Sequence, residues 1–192
     1  MLSKNNTLLL IAIMAILSCK QPLTDAAKQT DTAGKDWKKQ FDQTLPLLGH
    51  RNWIIVADKA FPQQNAAGMQ TIYTNENLLT VLKYVLQQVN ASAHVRPIIY
   101  RDKELSFITE DQANGVKQFL NQSQQVFNGK PVQTILHDSV FNKLDEASKL
   151  FKVVVLKTNE TIPYTSVFLQ LDCAYWSGEK EKQLRSKMMT PQ

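Results

Sequence analysis

Cysteine is nearly absent from this chain. Its 192 residues hold two, Cys19 and Cys173, so there is no disulfide framework, and neither has a neighbouring partner for a zinc site. Histidine is as scarce, limited to His50, His94 and His137, and a multi-histidine metal centre would need all three to meet. The six glycines make no P-loop, no G-x-G-x-x-G and no G-x-S-x-G elbow, and His-Glu-x-x-His is missing too. These absences remove the common nucleotide, serine-hydrolase and zinc-protease classes, and no metal or cofactor is expected. The net charge of +5 is scattered, without a basic run or an aromatic ladder, which argues against a nucleic-acid partner. Weak attraction to an anionic membrane surface is the most it suggests.

Only one long apolar run exists, and it lies at the start. Met1–Asn6 is polar with one charge at Lys4, and Leu8–Leu17 is unbroken apolar chain ending at Ser18-Cys19. About ten residues cannot cross a hydrocarbon core that needs roughly twenty. A charged start, a short apolar centre and a small residue before the cut make the pattern of a cleaved export signal. Ile16-Leu17-Ser18-Cys19 is similar to the lipobox of bacterial lipoproteins, which implies lipidation of Cys19. The expected division is a signal peptide over 1–18, then a lipidated cysteine and flexible tether over 19–35. The polar tether cannot bury enough surface to offset its ordering entropy. The expected location is the cell envelope, with membrane contact through the lipid anchor alone.

The remainder reads as one domain over 36–176 and a charged tail over 177–192, loose or helical. Asp36 is a plausible N-cap for a helix over Asp36–Leu48, where Trp37, Phe41 and Leu45 form one stripe. Asn52–Asp58 is a near-continuous apolar strand, typical of burial on both faces. A short strand over Gln70–Tyr73 precedes a helix over Asn75–Val89 with six apolar positions on one stripe. Val95–Tyr100 is a strand whose Pro97 hints at an edge. Then follow a polar amphipathic helix (Thr109–Phe127), a strand (Val132–Leu136), a helix (Ser139–Leu150) and strands at Val153–Leu156 and Ser166–Leu171. Alternating strands and helices predict an α/β fold, a three-layer α/β/α single domain with a mostly parallel or mixed sheet. Cys173 is expected to be a buried, inert thiol.

The run Gly49-His50, strand, Asp58-Lys59-Ala60-Phe61-Pro62 places an ionisable group at each end of a hydrophobic strand. Ligands gather at strand ends in α/β enzymes. The same residues also fit plain structural roles, His50 as a cation at a helix C-terminus and Asp58 as an acceptor for loop amides.

Gly-His, a strand and Asp-x-x-Phe-Pro, with histidine and aspartate eight positions apart, resemble the N-terminal signature of the D-ribose pyranase/L-fucose mutarotase family. Glu160-Thr161-Ile162-Pro163-Tyr164-Thr165-Ser166, followed by an apolar strand, is similar to the family segment in which Glu precedes Tyr-small-Asn by four residues. The resemblance spans Leu45 to Leu171 and implies a member of that family, which the export signal and lipobox would make an exported lipoprotein. It makes His50 and Asp58 the acid–base pair and Tyr164, Ser166 and His137 substrate contacts, with a monosaccharide such as ribose or fucose as ligand. Two departures stand out: Phe141 occupies the place of the ribose-type lysine, and Ser166 that of the family asparagine. The implied activity is isomerisation of sugar anomers or ring forms, without a cofactor. The alternative is a non-catalytic sugar-binding or assembly lipoprotein of the same fold.

One geometrical point bears on the pair. Eight extended steps separate His50 from Asp58 by up to roughly 26 Å, far more than a monosaccharide spans. A site using both is expected to lie between subunits, and the family's ring-shaped homo-oligomers agree with that.

Overall fold

The computed structural model describes residues 36–189; the expected signal segment, Cys19 and the tether lie outside the described residues. Six strands, β1 (Trp53–Ala57), β2 (Met69–Tyr73), β3 (Val95–Asp102), β4 (Val132–Ile135), β5 (Val153–Lys157) and β6 (Val167–Cys173), form one sheet ordered β2-β5-β1-β6-β3-β4. β1, β5 and β2 run parallel, as do β3 and β4, while β6 lies antiparallel between β1 and β3. The helices are α1 (Trp37–Thr44), α2 (Leu78–Ala91), α3 (Val116–Phe127), α4 (His137–Leu150) and α5 (Gly178–Met188).

Both faces of the sheet are covered, which is why its central strands read as continuous apolar runs. Ile54 and Val56 of β1 pack with Trp37, Phe41, Leu82, Val85 and Phe119 from α1, α2 and α3. The alternate residues Trp53, Ile55 and Ala57 pack with Val140, Leu144 and Ala147 of α4. This is the three-layer α/β/α domain, with three helices on one face and one on the other. α5 buries none of its residues; Ser177 caps it and a Glu181–Arg185 pair spans one of its turns. Among the described residues, no helix is long and apolar enough to cross a membrane.

Several boundaries differ from the sequence reading, each for a local reason. α1 stops at Thr44, and Leu45–Leu47 forms a 3-10 turn around Pro46, because proline cannot donate to a continuing α-helical ladder. Asp36 makes no side-chain cap. Its backbone lacks the extended shape that capping needs, and only its carbonyl accepts the Gln40 N–H. α2 starts after Asn75, whose φ of 54° is left-handed, and Asn77 caps it through the Leu79 N–H at 2.9 Å. α3 starts only at Val116 because Gly115, at φ 87°, turns the chain just before it. Pro97 sits on an internal strand, yet β4 pairs only from Ile99 onward, so β3 is locally an edge where the N–H is missing. Cys173 is half-buried rather than buried.

Gly68 leads into β2 under the end of α4. A Cβ there would meet the Ser148 carbonyl oxygen and stand 2.5 Å from that of Phe151, and backbone atoms cannot swing aside. Gly68→Ala is expected to cost about 1–3 kcal/mol, read as a lowered urea midpoint. An unchanged midpoint would show that this contact yields easily.

Candidate functional site

The sequence-predicted residues divide between the two ends of the sheet. At the C-terminal edge of the parallel strands lie Asp58 after β1, Asp102 at the end of β3, and His137 opening α4 after β4. β6 runs the other way, so the segment leading into it, with Tyr164 and Ser166, joins them there.

Asp58 is held from several directions. Its Oδ1 accepts the N–H groups of Ala60 (2.9 Å) and Phe61 (3.1 Å). Its Oδ2 accepts the Ser166 hydroxyl at 2.8 Å, and the same Ser166 Oγ accepts the Asp58 N–H at 3.0 Å. Ser166 is buried, so its hydroxyl is engaged with Asp58 and not turned outward as expected for a ligand contact. Glu160, the acid of the second motif, accepts the Thr161 and Ile162 N–H groups at 2.9 and 3.0 Å, and Thr165 donates to the Ile162 carbonyl. This tight loop holds Tyr164 at a left-handed φ of 59°.

His137 stands beside that tyrosine. Its ring centroid lies 5.2 Å from Tyr164, edge-on, and 4.7 Å from Phe141, which stacks on Phe61 at 5.4 Å. The His137 N–H, at the start of α4, donates to both Glu104 oxygens at 3.1 Å, a favoured place for an anion. Its Nδ1 lies 2.8 Å from Asp102 Oδ2. Asp102 is fully buried, and its Oδ1 has no hydrogen-bond partner among the described residues.

Burial pushes the Asp102 carboxyl up to about 6 from 3.8; the His137 hydrogen bond and charge pull it down, and the nearby Glu104 and Asp58 charges push it up. Sequence reasoning missed both Asp102 and Glu104. The apolar run ends at Tyr100, and the charged run Arg101-Asp102-Lys103-Glu104 that follows matches no motif. The available signal was acidic groups immediately past a buried strand.

His50 lies at the opposite edge. It is exposed, with Nδ1 3.1 Å from Asp172 Oδ1, and Arg96 binds the other Asp172 oxygen at 2.7 Å. Burial pushes the Asp172 carboxyl up, but hydrogen bonds from Arg96 and the Cys173 N–H, with the Arg96 and His50 charges, hold it below the usual range. His50 borders a cavity of about 610 Å³ whose wall includes Trp53, Phe151, Leu150 and Gln170. His50 and Asp58 are thus not brought together within one chain, whereas Asp58, Ser166, Tyr164 and His137 are. Among the described residues, no three His, Cys, Asp or Glu side chains converge as a metal centre.

The model of the RbsD / FucU transport protein family matches residues 38–173. No curated protein matches. Among solved structures, the chain is similar to the fucose mutarotase in complex with L-fucose from Streptococcus pneumoniae, with a TM-score of 0.50 and 18% identity over 71% of this chain and 94% of that one. It is also similar to Bacillus subtilis RbsD complexed with D-ribose (0.48, 18%, 68% and 89%) and to FucU from Bifidobacterium longum (0.46, 14%, 69% and 92%).

The folded chain keeps the Asp102 proton up to about pH 6, and the unfolded chain releases it near 3.8. Rising pH therefore destabilises the fold across that window. From pH 4 to 7, wild-type stability relative to Asp102→Asn is expected to fall by about 2 kcal/mol, measured by urea unfolding. A difference that stays flat with pH would show that the carboxylate carries no burial penalty.

Proposed function

Because the chain belongs to the RbsD / FucU transport protein family, we propose that it interconverts the anomers or ring forms of a monosaccharide such as ribose or fucose. The observation that carries this reading is the meeting of Asp58, His137 and Tyr164 at one sheet edge from three distant parts of the chain. A ligand of the same class occupies the fucose mutarotase that shares the fold.

The chemistry asked of such a site is modest. One group takes the O1 proton, the C1–O5 bond breaks as C1=O forms, and a second group protonates the ring oxygen. Reclosure on the other face of C1 reverses these transfers. Histidine, with an ordinary pKa near 6.5, serves as acid or base at neutral pH. His50 and Asp58 are the proposed acid–base pair, with Tyr164 and His137 as sugar contacts and Ser166 supporting Asp58. No step calls for a cofactor. Since His50 and Asp58 occupy opposite ends of β1, the working site is proposed to take His50 from a second copy in a ring-shaped homo-oligomer. Lipidation at Cys19, after removal of 1–18, would tether the domain to the bacterial cell envelope and place the activity outside the cytoplasm.

One observation favours a second reading, a sugar-binding lipoprotein without turnover. Phe141, in the place of the family lysine, packs between Phe61 and His137 and supplies no proton or charge.

Saturation-transfer NMR of ribose, fucose and galactose with the full chain separates the two. The proposal expects faster anomer exchange, lowered roughly 10²–10⁴-fold by His50→Ala; binding without acceleration supports the second reading. Co-expressing His50→Ala with Asp58→Asn tests the shared site. Random assembly leaves both groups intact at about one quarter of the boundaries, so about a quarter of wild-type activity should return. Hybrids as inactive as either parent would show that the two residues do not meet across a subunit boundary.

A further inference from the structure

We propose that Asp102 is the positioning residue of this site, fixing the His137 imidazole so that Nε2 exchanges a proton with the sugar. The inference rests on the ring-opening chemistry proposed above and raises His137 from a sugar contact to an acid–base group.

The imidazole is restrained on several sides. Glu104 holds its backbone N–H, Asp102 Oδ2 takes Nδ1 at 2.8 Å, and the Phe141 and Tyr164 rings flank it. An ionised carboxylate only accepts, so Nδ1 carries the proton and Nε2 keeps its lone pair. The His137 side chain is 39% exposed whereas Asp102 is fully buried, which leaves Nε2 as the nitrogen free to meet a ligand beside Tyr164.

The buried acid is poorly suited to a purely structural task. Its Oδ1 has no partner among the described residues, and the charges bearing on it are one histidine and two carboxylates, His137, Glu104 and Asp58. Holding an imidazole in place needs only a neutral acceptor. An anion does more, because it stabilises the imidazolium that forms when Nε2 takes a proton.

The test uses the full chain as wild type, Asp102→Asn and His137→Gln, with two readouts. The first is the ¹⁵N spectrum of His137 at pH 8, where wild type should show the Nδ1–H tautomer and Asp102→Asn a shift toward Nε2–H. The second is anomer exchange of the sugar that wild type accelerates. There Asp102→Asn should lower kcat by about tenfold or more, leave KM little changed and displace the pH profile. His137→Gln, altered at a partly exposed position, should lose at least as much.

Unchanged kcat in either variant, or a wild-type His137 in the Nε2–H form, overturns the proposal. Should Asp102→Asn fail to fold, the wild-type tautomer and the His137→Gln rate still decide it. If wild type accelerates no sugar, the ring-opening reading fails, and the tautomer shows separately whether Asp102 sets the imidazole.

Discussion

β6 enters the sheet between β1 and β3 and runs against both, and the rest of the molecule follows from that reversal. A sixth parallel strand would deliver its preceding loop to the N-terminal edge. Running backwards, β6 instead brings residues 160–166 to the C-terminal ends of β1 and β3, beside Asp58 and Asp102. The same strand supplies both cores, Val167, Leu169 and Leu171 on the α1–α3 side and Phe168 on the α4 side. Each such fully buried side chain contributes about 1.5–3 kcal/mol, so β6 is fixed by its middle and its leading end is positioned rigidly.

That rigidity carries the electrostatics of the edge. Asp58, Asp102 and Glu104 gather there, and mutual repulsion would open the edge unless each were given donors. Asp58 receives two loop amides and the Ser166 hydroxyl, and Glu104 receives the first N–H of α4. Among the described residues, Asp102 receives only His137, on one oxygen. The least satisfied carboxylate is therefore also the most buried, and it is joined to the one side chain there whose ordinary pKa lies near neutrality.

How much of this was legible depends on whether the cause was local. β1 could be read from Trp53–Ala57 because burial on both faces leaves an unbroken apolar run, and the α2 stripe because it packs on one face only. Element starts were read less well where a left-handed residue decides them, as at Asn75 and Gly115. The Asp58 end of the site was visible as an acid after a buried strand, with Tyr164 marked by the second motif. Asp102 was hidden because β3 runs two residues past its last apolar side chain. Its importance comes from the contact with His137, 35 residues away, which no spacing rule reveals. Ser166 was seen, but its partner is Asp58, 108 residues distant, so its role depends on the β1–β6 pairing.

The same strand geometry limits how His50 and Asp58 can act together. β1 is extended and buried from Trp53 to Ala57 on both faces, so neither bending nor a loop swing brings its ends toward one sugar. The two ends carry different groups. One has the anchored carboxylate, an aromatic wall and His137; the other has an exposed histidine on Asp172 beside an apolar cavity. Different patches meet either reciprocally across a two-fold axis or head to tail, and head-to-tail contacts close into rings or run on as filaments. A chemistry that requires both ends thus requires at least two copies, whereas Asp58, Asp102, His137 and Tyr164 already meet within one chain.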